Sequence, residues 1–151
     1  MDANREEGKN MKLTAIFLAA VAFVLVSLPI AFSQSANIQV NITNPSSGAV
    51  VPRQYTVRGE SRNIGQSKIL LFVYAPGAKK WFFQDTAKIS GTGSWQGNVI
   101  IGAPGDVGAE FRVVATVMAN VPKGLSELSA GNFPLAGTLA QTEAVTVKRG
   151  Q

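Results

Sequence analysis

A chain of 151 residues with no histidine, no cysteine and a formal net charge of +5 excludes the Ser-His-Asp and Cys-His catalytic arrangements, zinc or copper sites built on those ligands, and any disulfide framework. Fifteen glycines, seven prolines and only 15% charged residues favour strands and turns over helices. From Gln34 onward eleven Lys/Arg stand against six Asp/Glu, mostly scattered singly, so nucleic acid is not an expected partner.

The chain opens on "MDANREEGKN", the bulk of a polar extension over 1–12, an odd prelude that makes Met11 the expected start of translation. An uncharged apolar run over 13–32 follows Lys12, and small polar residues follow it in turn. That is the layout of a secretory signal. About 20 apolar residues also suffice to span a bilayer. Residues 13–36 are therefore expected to form an N-terminal hydrophobic helix that is either a cleaved signal peptide or a membrane anchor through 13–32. Arg5, Lys9 and Lys12 precede the run and no Lys or Arg follows it until Arg53, which places the body outside, whether secreted, periplasmic or on the cell surface.

From residue 37 to 151, short segments with period-2 alternation are separated by turn residues, the pattern of a β-sandwich. "NIQVNIT" puts Ile38, Val40 and Ile42 on one face, and "NPSSGAVVP" turns the chain into "RQYTVRG", with Tyr55 and Val57 inward. "KILLFVYA" is apolar on both faces, so it is expected to be central and covered on both sides. "PGAKK" leads into "WFFQDTAKI", where Trp81 and Phe83 point one way and Phe82 the other. "WQGNVIIG", "FRVVATVMA" and "EAVTVKR" complete about seven strands. The stretch over 120–140 is too long for a structureless loop in a compact domain. Its Leu125, Leu128, Phe133, Leu135 and Leu139 are expected to dock on the Leu70, Phe72 and Tyr74 face, with Phe82 and Ile100 at the edge.

The phrases "ITNPSSGAVVPRQYTVRG", "KKWFFQD", "GSWQGNVIIG", "GAEFRVVATV" and "AVTVKR" resemble prokaryotic immunoglobulin-like surface modules over roughly residues 38–149. The resemblance implies an all-β immunoglobulin-like sandwich of about seven strands outside the membrane, and it carries over no catalytic residue and no cofactor.

The remaining chemistry is sparse. No Ser-x-x-Lys spacing occurs, and "SGTGS" lacks the Lys and helix of a phosphate loop. Asp85 and Glu110 read as solvated carboxylates rather than an acid/base pair. Asp106 and Glu110 in "GDVGAE" are weak metal candidates, short of the Asp/Asn density of a calcium loop. Asn41 opens the sequon Asn-Ile-Thr, a glycosylation acceptor in a host that modifies exported proteins. Trp81 and Trp95 are expected between the sheets. Phe82, Leu70, Phe72 and Tyr74 are the candidate ligand or partner surface. The expected function is a non-enzymatic module for adhesion, envelope structure or protein association, bound to an envelope protein or glycan. A carbohydrate-binding module using an exposed aromatic surface is the alternative.

Overall fold

The computed structural model describes residues 37–151, and the expected signal or anchor lies outside the described residues. Eleven strands are formed: β1 (Gln39–Asn44), β2 (Ala49–Val51), β3 (Gln54–Arg62), β4 (Lys68–Ala75), β5 (Lys80–Thr86), β6 (Lys88–Ile89), β7 (Ser94–Ile100), β8 (Glu110–Met118), β9 (Glu127–Ser129), β10 (Thr138–Gln141) and β11 (Val145–Arg149), with one 3₁₀ turn at Ala130–Asn132. The seven longest are the segments expected from sequence, six by alternation and β4 by its continuous apolar run. β2, β6, β9 and β10 span only two to four residues, too few for a period-2 pattern to stand out from turn residues.

One sheet has the order β1-β3-β7-β6 and the other β2-β11-β8-β4-β5-β9, with β10 pairing β8. All pairs are antiparallel except β2 with β11. Apolar side chains at every second position close the core between the sheets. Val57, Val99 and Ile101 meet Ile69, Leu71, Val113 and Val147 there, all buried. Trp95 lies in the same core, as expected, and Gly59 is its cross-strand partner. A Cβ at Gly59 would collide with the indole and with the Asn41 carbonyl, so this position admits no side chain. On the far edge of β8, β11 and β10 succeed one another. Thr142 fills the gap between them: its N–H donates to the Ala115 carbonyl at 2.9 Å and its hydroxyl accepts from the Ala115 N–H at 3.1 Å, continuing the ladder where neither strand reaches.

The outer face of β4 is covered as expected. Leu70 and Phe72 are 0% exposed and join Trp81, Val114 and Met118 in a second apolar cluster, closed by Tyr74, Phe83, Leu125, Leu128, Phe133 and Leu135. The connection is pinned at three levels. β9 pairs the outer edge of β5, Lys80 and Glu127 form an ion pair across that edge, and the Phe133 ring stacks on Trp81 with centroids 4.2 Å apart.

Four expectations are corrected by this packing: Leu139 is 48% exposed and stays outside the cluster, Ile100 lies on β7 in the other sheet rather than at the edge of the connection, and two aromatics of β5 change sides. Trp81 is buried beneath the connection and not between the sheets, because it pairs with Tyr74 on the outer face of β4. Phe82 pairs with Val73, an inner-core residue, so it faces the opposite sheet rather than the edge of the connection. The alternation of the three aromatics is as expected, but the side each one faces is reversed.

The connection is thus part of the core, which mutation can test. Phe133→Ala should lower the unfolding free energy in urea by about 2–3 kcal/mol, whereas Leu139→Ala, at a side chain 48% exposed, should change it by less than about 0.5 kcal/mol. Equal effects at the two positions would contradict this packing.

Candidate functional site

One accessible concave surface adjoins an irregularity in β5. Between Leu71 and Phe72 the β4–β5 register slips, so that Phe83 faces Phe72 and Asp85 faces Leu71 with Gln84 unpaired. Such a bulge re-aims side chains. Here it turns two consecutive polar residues toward β7, where they bond the exposed backbone edge. Gln84 Oε1 accepts from the Ile100 N–H at 2.9 Å and Asp85 Oδ2 accepts from the Asn98 N–H at 3.0 Å. The pairing with β6 reaches only Trp95 and Gln96, so these two side chains stand in for a neighbouring strand along the rest of β7.

Two adjoining cavities meet at Gln84 and Ile100. One, of about 550 Å³, is an apolar cleft at the end of the sandwich, lined by Val73, Phe82, Phe83, Ile100 and Phe111 with Arg53 and Asp106 among its polar groups. The other, of about 570 Å³, is polar and lies against Gln54, Thr56, Asp85 and Asn98. Ile100 is 48% exposed, an apolar residue continuing the polar series Gln96, Asn98.

The wall beyond Ile100 depends on a tight turn. Asp106 Oδ2 accepts from the Ala103 N–H at 2.6 Å, and Arg53 Nε donates to the Gly102 carbonyl at 3.3 Å. Gly102 has φ +69°, and a Cβ there would press on Phe111 and Asp106, so glycine is required on both counts.

Of the residues singled out from sequence, Phe82, Ile100 and Asp106 line this cleft, and Phe82 is half-buried. Leu70 and Phe72 are fully buried and present no surface. Tyr74 is half-buried, with the Arg112 guanidinium 5.2 Å from its ring centroid. Asn41 is exposed, and its Oδ1 accepts from the Glu60 N–H at 3.2 Å. Asp106 is engaged in its turn, while Glu110 is exposed on β8 opposite Lys148. Among the described residues no group of three or more His, Cys, Asp or Glu is placed to hold a metal ion. Sequence reasoning missed Arg53, Gln84 and Ile100 as cleft residues. The one signal for them was Ile100, apolar where alternation calls for a polar residue.

Asp106 as a turn residue and Asp106 as a metal ligand lead to different outcomes. Asp106→Ala should cost about 1–2 kcal/mol of stability through the lost acceptor, Asp106→Asn should restore most of it, and EDTA should leave the thermal midpoint of the wild type unchanged. A midpoint lowered by EDTA and restored by calcium would contradict the turn role.

No family model and no curated protein matches the chain. Among solved structures, a crystal structure of an engineered protein aligns with a TM-score of 0.47 at 19% identity, over 78% of this chain and 21% of that one. The chain thus corresponds to about a fifth of the length of that protein.

Proposed function

We propose that this chain is a non-enzymatic, immunoglobulin-like module, exported or membrane-anchored, that works outside the membrane by associating with another protein in adhesion or envelope structure. The observation that carries the reading is the strand order. The order β1-β3-β7-β6 against β11-β8-β4-β5, with β2 leaving the first sheet to pair β11, corresponds to A-B-E-D against G-F-C with an added C′ strand. The uncharged run over 13–32 with its upstream basic residues supports the extracytoplasmic address. Among the described residues no helix is long and apolar enough to cross a membrane.

Protein association is favoured over glycan binding by the placement of the aromatics. Stacking on a sugar ring requires an open aromatic face. Trp81 and Trp95 are buried, Tyr74 lies beside Arg112, and the exposed large apolar residues include no aromatic among the described residues. The glycan alternative therefore rests on half-buried rings, Phe82 in the cleft and Tyr55 at the polar cavity.

Protease added to intact spheroplasts of an expressing cell should digest the body. The intact mass should begin at Gln34 or Ala36 if the signal is cleaved, or at Met1 or Met11 if it is an anchor. In situ cross-linking at the cell surface should recover one defined protein. Protection of the body from protease overturns the location, and binding to a glycan array without a protein cross-link overturns the mode of action.

A further inference from the structure

We propose that β1 is a self-association edge, to which a second copy of this chain adds its own β1, antiparallel, about a two-fold axis at Asn41. This rests on the protein-association reading and names one partner and the surface that meets it. β1 ends one sheet, and among the described residues it pairs only with β3. The strands at the other sheet ends, β6, β2 and β9, span two or three residues. Beyond β6 the edge of β7 is occupied by Gln84 and Asp85. β1 runs for six residues, QVNITN, with no charge and no proline. An edge of that kind lacks the devices that keep strands from pairing.

The ladder shows which of its groups point outward. Glu60 N–H turns toward β1, reaching Asn41 Oδ1 at 3.2 Å, and a Cβ on Gly59 would collide with the Asn41 carbonyl. Ser61, which pairs with Val40, instead donates its N–H away from β1, to the Gly93 carbonyl at 2.8 Å. Asn41 is thus directed at β3, and Val40 and Ile42 aim their N–H and C=O groups outward.

Those two residues are symmetric about Asn41. With Asn41 opposite Asn41 of the second copy, Val40 faces Ile42, and each such pair exchanges two main-chain bonds. The side chains then match by face. Val40 and Ile42, half-buried at the rim of the core, form β-branched cross-strand pairs, and exposed Gln39 meets exposed Thr43. The register shift between Ile42 and Asn44 ends the pairing there. Charge does not oppose it. Arg58, Glu60 and Arg62 stand one strand in, on β3, so at least three strand spacings, about 14 Å, separate them from their counterparts across the axis. That exceeds the screening length of about 8 Å at physiological salt. Each copy has one such edge, so the two-fold closes the assembly as a dimer and not a fibre.

The chain has no cysteine, so a single introduced one reports on the pairing. The test uses the full chain in detergent micelles under mild oxidation. At Asn41 the two copies form a non-bonded antiparallel pair with Cα atoms about 4.5 Å apart, within disulfide reach. Asn41→Cys should therefore give a linked dimer about tenfold faster or more than Gln39→Cys or Gln96→Cys, the last an exposed β7 position. Gln39→Lys with Thr43→Lys sets lysine opposite lysine twice and should slow the Asn41→Cys link about tenfold, whereas Gln39→Lys with Thr43→Glu should restore it. Both side chains are exposed, so the melting profiles should match the wild type. Equal linking at the three positions, as association through residues 13–32 alone would give, overturns the proposal. So does indifference to the lysine pair, or a glycan carried on Asn41 of the mature protein. If Asn41→Cys does not link while in situ cross-linking recovers a different protein, this edge fails and the association reading stands. If neither occurs, both fail.

Discussion

Both faces of β4 are apolar, and a strand of that kind has no stable place at a surface. Ile69, Leu71 and Val73 require an opposing sheet, while Leu70 and Phe72 require a second cover on the other side. Each buried aliphatic or aromatic side chain is worth about 1.5–3 kcal/mol relative to exposure, so leaving either face open would cost a sizeable part of the stability of a small domain. The β1-β3-β7-β6 sheet answers the first requirement and the connection after β8 answers the second. A three-layer arrangement of sheet, sheet and connection follows from one eight-residue strand.

The same demand shapes the cleft. Once Trp81 and Phe83 are committed to the outer cluster with Phe133, alternation leaves Phe82 facing the first sheet, beyond the edge of β7. The bulge at Gln84 then brings Gln84 and Asp85 against that edge. Their bonds satisfy N–H groups that would otherwise invite another strand to pair. An apolar cleft beside a capped strand edge results from packing requirements elsewhere.

Legibility in the sequence followed the length of each signal. Six of the seven strands with five or more residues were readable from alternation, and β4 and the docking of 120–140 on it from the two-faced character of "KILLFVYA". The sidedness of Trp81 and Phe82 was not, since both faces of β4 are apolar and hydrophobicity alone cannot say which one meets the other sheet. The β5 bulge left no local mark, because "FQDT" reads as ordinary alternation. Its effect depends on where β7 lies, a contact between segments far apart in the chain. Arg53 and Ile100 were hidden for the same reason: their neighbours across the cleft are set by tertiary packing.

The central claim is that the connection folds as part of the core rather than lying over it. Amide hydrogen exchange at Phe83 tests this most directly, since its N–H donates to the Ser126 carbonyl of the connection at 2.8 Å. The account predicts that Phe83 exchanges only by the global unfolding that also governs Ile69, Leu71 and the β4–β8 ladder. Exchange at Phe83 through a much less costly local opening, with the β4–β8 amides still protected, would contradict it.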